Sequence, residues 1–108
     1  MANSAEIIGK RLYHSGCRRA FGIPGGEVLV LMEGLRKSGI NFVLTKHENC
    51  AGFMAEGGFH ADGAPGILVA TIGPGVANAV NVVANAFQDR VPMIFLTGCV
   101  DDHDALTY

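Results

Sequence analysis

Residues 66–97 read GILVATIGPGVANAVNVVANAFQDRVPMIFLT. Two short apolar runs, Ile67–Thr71 and Met93–Thr97, flank a segment whose apolar residues recur at helical spacing: Val76, Val80, Val83, Ala84 and Phe87. Neither run alternates polar with apolar residues. Strands of that kind are buried on both faces, as in a parallel sheet covered by helices. The stretch therefore reads as one right-handed crossover unit, strand, helix, strand.

The same alternation extends toward the amino terminus. Ile40–Thr45 predicts a strand and His47–Ala61 a helix with Ala51, Met54, Ala55 and Phe59 inward, ending in the turn Asp62–Gly66. Arg19–Gly22 predicts another strand. Glu27–Ser38 predicts a helix with Val28, Leu31, Met32 and Leu35 on one face, closed by Gly39. Ser4 is the expected cap of a first helix, Ala5–Ser15, with Ile7, Ile8, Leu12 and Tyr13 inward and Gly16 terminating it. The expected fold is α/β, a doubly wound, mostly parallel sheet flanked by helices. Residues 1–108 are expected to form a single domain. Four strands leave one edge uncovered, and a further helix or strand is expected after the acidic loop Gly98–Asp104, so the chain is expected to be an amino-terminal piece of a longer one or to need a partner.

Composition narrows the function. The 108 residues are 49% hydrophobic and 17% charged, with a net charge of -2, which excludes a disordered chain. Eight Lys and Arg against ten Asp and Glu leave no basic excess for phosphate backbones, so a nucleic-acid partner is not expected. No apolar run approaches the length needed to span a bilayer. The start MANSAEIIGK lacks a basic region followed by an apolar stretch, so no secretory signal is expected. Cys17, Cys50 and Cys99 form neither a CxxC site nor an even disulfide framework, and a reducing, cytoplasmic setting is the simple reading.

Ligands of an open parallel sheet bind outside the carboxyl ends of its strands. Those ends are followed by Gly22-Ile23-Pro24-Gly25-Gly26, by Lys46-His47-Glu48-Asn49, by Gly73-Pro74-Gly75 with Asn78 one turn on, and by Gly98-Cys99. Singly, each has a bland explanation. A glycine after a strand makes a turn, and Glu48 complements a helix dipole. Neither glycine loop matches GxxxxGK[ST], and GxGxxG is absent. His47-Glu48 has Ala51 where a zinc hydrolase helix needs a second histidine, so no metal site is assigned there. Asp101-Asp102-His103-Asp104 reads as a solvated loop. Met32, Met54, Phe59 and Phe87 read as core, and Cys50 as a small buried hydrophobe.

In combination the segments are far more specific. FGIPGG, KHENCAGFMAEGG and TIGPGVANAVNVVANAFQDRVPMIFLTG, in this order and spacing, resemble the amino-terminal pyrimidine-binding domain of thiamine diphosphate enzymes, the acetolactate synthase-like group above all. The resemblance covers about Ser4 to Gly98. It implies that Glu48 bonds N1′ of the aminopyrimidine ring and shares a proton with it. The 4′ nitrogen can then take the proton of the thiazolium C2. It places Ile23 and Pro24 against a cofactor held with a partner subunit. Gly25 and Gly26 let the first loop approach, and Pro74, Gly75 and Asn78 pack beside the pyrimidine. The family's small hydroxyl residue before GPG is Ile72 here. The diphosphate and its magnesium are held in the family by a domain with GDG and a later Asn-Asn, which this chain lacks. The implied protein is a 2-oxo acid carboligase or decarboxylase, working as a homodimer or homotetramer. The competing readings are a noncatalytic module that pairs with a full-length homologue, a split enzyme with a separate diphosphate-binding subunit, and a generic anion-binding α/β protein.

Overall fold

The computed structural model describes residues 1–101 and His103. Asp102, Asp104 and the segment 105–108, where a loop and a further element were expected, lie outside the described residues. The chain runs α1 (Ser4–His14), β1 (Arg19–Gly22), a 3-10 turn (Gly26–Val28), α2 (Leu29–Lys37), β2 (Asn41–Leu44), α3 (Glu48–Asp62), β3 (Gly66–Ala70), α4 (Pro74–Gln88) and β4 (Met93–Thr97). The four strands form one sheet in the order β2-β1-β3-β4, and every pairing is parallel. The expected α/β fold is borne out.

Strand alternation divides the interior between two faces. Ala20, Ile67 and Val69 join Cys17, Val28, Leu35 and Ile40 on one side, beneath α1 and α2. Phe21 and Leu68 join Ala51, Ala55, Ala79 and Val82 on the other, beneath α3 and α4. Central β3 is buried throughout, as a strand covered on both faces should be. Edge strand β4 is equally apolar but only half-buried, because its outer flank has no neighbour among the described residues.

The helices correct several sequence expectations in one consistent way: small residues face inward and bulky ones outward. On α1 the buried positions are Ala5 and Gly9, with Leu12 and Tyr13 against the core, while Ile7 and Ile8 are exposed. A Cβ on Gly34 would lie 2.5 Å from the Ala5 carbonyl oxygen, so α1 and α2 touch nearly backbone to backbone. On α4 the buried stripe is Gly75, Ala79, Val82 and Ala86. Val80, Ala84 and Phe87 face outward, with Phe87 85% exposed, and Val76 and Val83 are half-buried. On α3, Ala51 and Ala55 are buried as expected, but Met54 and Cys50 are exposed and Phe59 is half-buried. Met32 is half-buried against the first core. Choosing the largest apolar residues as the inner face fails where helices pack at glycine and alanine distance.

Capping differs in detail too. Asn3, not Ser4, caps α1, its side chain accepting from the Glu6 amide at 2.9 Å. Gly63 ends α3 with a left-handed φ of 75°.

Helices α3 and α4 also pack closely: a Cβ on Gly52 would overlap the Val82 side chain. Gly52→Ala is therefore expected to destabilise the fold by about 1–3 kcal/mol through overpacking. In a Val82→Ala background the same change should have a much smaller effect, measured as a double-mutant cycle by urea unfolding.

Candidate active site at the carboxyl edge of the sheet

Strand order reverses between β1 and β3: the chain leaves β1 for β2 on one side and returns to β3 on the other. A crevice opens at the carboxyl ends of two such neighbours. The loop after β1 (Ile23–Gly25), the turn after β3 (Thr71–Gly73) and the start of α3 all lie on this edge.

Glu48 is the first residue of α3. His47 caps that helix, its Nδ1 accepting from the Asn49 amide at 3.0 Å, so this histidine has a structural task. A carboxylate in a first helical turn is favoured by the helix dipole. Glu48 is nevertheless 6% exposed, one of two buried carboxylates among the described residues. Its Oε2 accepts from Asn78 Nδ2 at 3.1 Å. Its Oε1 has no hydrogen-bond partner among the described residues and lies where a Cβ on Gly75 would come within 3.3 Å. Glu48 thus has one oxygen oriented by the protein and one left to accept from, or share a proton with, a ligand. The missing Cβ at Gly75 leaves room beside that oxygen. These features fit an aminopyrimidine ring nitrogen.

Glu48, Gly75 and Asn78 are thus brought together from residues far apart in sequence. Pro74 occupies the first turn of α4, where its missing N–H is no loss, following Gly73 with a φ of 72°. Gly25 presses on the turn after β3, where a Cβ would overlap Thr71 Oγ1. Ile23 and Pro24 are half-buried in the same edge loop, and Gly26 is exposed at the start of the 3-10 turn. None of these three has a hydrogen bond to Glu48.

Two features escaped the sequence reading. The Glu27 carboxylate accepts from the Thr71 hydroxyl and from the Ile72 amide, the latter at 2.8 Å. The Thr71 bond first, then the Ile72 amide and Glu27's own amide, hold its carboxyl below the usual range. The second is a polar seam between α3 and α4. Asn81 donates to Asn49 at 3.3 Å, and Asn85 Nδ2 lies 3.1 and 3.2 Å from the two oxygens of Glu56, the other buried carboxylate. The signal was legible: Asn78, Asn81 and Asn85 make a helical stripe in an otherwise apolar segment, and Glu48 and Glu56 are two turns apart.

No group of three His, Cys, Asp or Glu among the described residues could hold a metal ion. Two surface hollows, of about 400 and 300 Å³, lie between α2 and β2 (Met32, Ile40, Phe42) and beside α4 and β4 (Val83, Phe87, Phe95). Neither borders Glu48.

Residues 2–108 match the family described as thiamine pyrophosphate enzyme, N-terminal TPP binding domain. The chain belongs to that family. Among its relatives, the mitochondrial acetolactate synthase catalytic subunit of Saccharomyces cerevisiae is 42% identical over 88% of this chain and 14% of the relative. The large subunit of acetolactate synthase isozyme 3 of Escherichia coli is 39% identical over 93% of this chain and 18% of the relative. A probable 2-ketoarginine decarboxylase of Pseudomonas aeruginosa is 39% identical over 87% of this chain and 17% of the relative. The chain thus spans less than one fifth of the length of these curated relatives. Thiamine diphosphate is the cofactor that this family membership implies.

Removing one partner from the seam leaves a buried carboxylate without its donor. Asn85→Leu is expected to lower stability by about 1–3 kcal/mol. Adding Glu56→Leu should recover most of the loss, read from chemical denaturation of the single and double variants.

Proposed function

We propose that this chain forms the pyrimidine side of a thiamine diphosphate site in an enzyme acting on 2-oxo acids, an acetolactate synthase-like carboligase or a decarboxylase. The observation that carries the reading is Glu48. It is a buried carboxylate at the carboxyl edge of a parallel sheet, with Asn78 on one oxygen and the other free toward the space beside Gly75. Bound thiamine diphosphate would supply a carbon acid that, once deprotonated, adds to a keto group, and a ring that takes up electrons as carbon dioxide leaves.

Each residue of this chain has a task in that reading. Glu48 holds or shares a proton at the pyrimidine N1′, which would acidify the neighbouring amino group so that its nitrogen, once it has given up a proton, can serve as the base. Asn78 orients the Glu48 carboxylate. Gly75 keeps side-chain atoms away from the ring face, and Pro74 sets the start of the helix that carries both. Gly25, Gly26, Ile23 and Pro24 form the opposite lip of the crevice. A noncatalytic module would have no use for a buried acid with a spare oxygen here, so the catalytic reading is the better one.

The reading requires a second wall. The diphosphate and magnesium would be held by a diphosphate-binding domain of the same or another chain, in a homodimer or homotetramer. The exposed Phe53 and Met54 of α3 and Val80 and Phe87 of α4 are suited to being covered in such an assembly. No helix among the described residues is long and apolar enough to cross a membrane. The three cysteines are free, as a cytoplasmic setting would keep them.

Glu48→Gln in the assembled enzyme is expected to slow exchange of the cofactor's C2 proton by about 100-fold or more, as loss of a positioned acid-base group should. The measurement is proton exchange followed by NMR at saturating cofactor. An undiminished exchange rate would overturn the assignment of Glu48.

A further inference from the structure

We propose that Glu27 is a positioning residue whose carboxylate fastens the turn after β3 and so sets the place of Gly75 and Asn78 against Glu48. The consequence for catalysis rests on the function proposed above; the fastening itself does not.

Four loops end on this edge, and one carboxylate sits where three of them meet. Glu27 stands in the 3-10 turn that follows the β1 loop. Both of its bonds converge on Oε1, one from the Thr71 hydroxyl and one from the Ile72 amide. From the β4 side, a Cβ on Gly98 would overlap Glu27 Cγ. From the β1 loop, a Cβ on Gly25 would overlap Thr71 and come within 3.2 Å of Glu27 Oε2. The contact therefore needs glycine at two neighbouring positions, which is how a close approach between loops is made.

The held turn is the one on which the site depends. Thr71 and Ile72 open it, and Gly73, at a φ of 72° and a ψ of -116°, reverses the chain into α4 without offering a side-chain cap. The Thr71 carbonyl accepts from the Val76 amide at 3.1 Å, closing the turn, while its hydroxyl is committed to Glu27. A Cβ on Gly75 would lie 2.9 Å from Thr71 Cγ2 and 3.3 Å from Glu48 Oε1, so Thr71 stands directly behind the glycine that backs Glu48. One further turn along, Asn78 donates to Glu48. The path from Glu27 to Glu48 is thus Thr71 and Ile72, then Gly75 and Asn78, with every step a hydrogen bond, a contact or the chain itself. Hydrogen bonds to a charged acceptor are the stronger kind, which suits an anchor exposed to water. Ile72 cannot supply a side-chain hydroxyl of its own to this turn; its backbone amide is what Glu27 holds.

The test compares Glu27→Ala, which removes the acceptor, with Glu27→Gln, whose Oε1 can accept both bonds. Amide hydrogen exchange in the full-length protein reads the turn, with the β3 amides as an internal standard. In Glu27→Ala the Ile72 and Val76 amides are expected to exchange about 10-fold faster while Leu68 and Val69 keep their rates, the mark of local opening. Glu27→Gln should restore most of the protection. In the assembled enzyme at saturating cofactor, C2 proton exchange should follow the same order: slowed about 10-fold in Glu27→Ala and largely rescued in Glu27→Gln. Unchanged exchange at Ile72 in Glu27→Ala overturns the proposal. So does an equal acceleration in β3, which would make Glu27 a general stabiliser, and so does a Gln variant no better than Ala. If Glu48→Gln leaves C2 exchange untouched, the proposed function falls, and the Ile72 amide still decides the fastening.

Discussion

The approach of α3 to α4 at glycine distance is the constraint from which the rest of the site follows. Gly52 presents bare backbone to Val82, so the two helices lie close enough for short amide side chains to span them. Asn78 then reaches Glu48, Asn81 reaches Asn49 and Asn85 reaches Glu56. The helices run the same way because each follows a strand of a parallel sheet, so the pairs repeat in step along the seam. A bulkier residue at position 52 would push the seam apart. Buried carboxylates left without donors are far more costly than solvated ones.

That seam explains how an acid can be buried at the carboxyl edge of the sheet. Glu56, buried to the same degree as Glu48, has both oxygens within hydrogen-bond distance of Asn85 Nδ2. Glu48 occupies the equivalent place two turns earlier, at the open end of the helix, and has only one oxygen engaged. The same residue types in the same packing therefore serve two ends. The inner pair is satisfied within the protein, and the outer one is left half-satisfied where a ligand can approach. The difference comes from position along the helix, since Glu48 meets the glycine turn after β3 and Glu56 does not.

The fold was legible in the sequence to the extent that it depends on strands. Uninterrupted apolar runs such as Ile67–Ala70 can only be covered on both sides, and their parallel pairing follows from the helices between them. The inner faces of the helices were not legible from apolar size. On α1 it is Ala5 and Gly9 that pack, against α2, and on α4 it is Ala79 and Ala86 that are buried, while Ile7, Val80 and Phe87 are exposed. Periodicity identifies a helix but not which of two apolar stripes is the inner one when both exist. Small residues in a tightly packed layer carry no hydrophobic signal of their own. The candidate site was legible as motifs, because Glu48, Gly75 and Asn78 each sit just beyond a strand. Its supports, Glu27 and Thr71, were not, since nothing local in the chain announces a carboxylate that reaches across to another loop.

The outward apolar stripe has a physical reading of its own. A helix with two apolar faces, one of small residues and one of large, is poorly suited to a lone domain in water. The small face determines how near α4 lies to α3 and the sheet, while the large face is left exposed. The layer that must be thin to bring Asn78 to Glu48 is the same layer whose bulky residues are displaced outward. Close packing inside and apolar exposure outside are then two results of one choice of residues along α4.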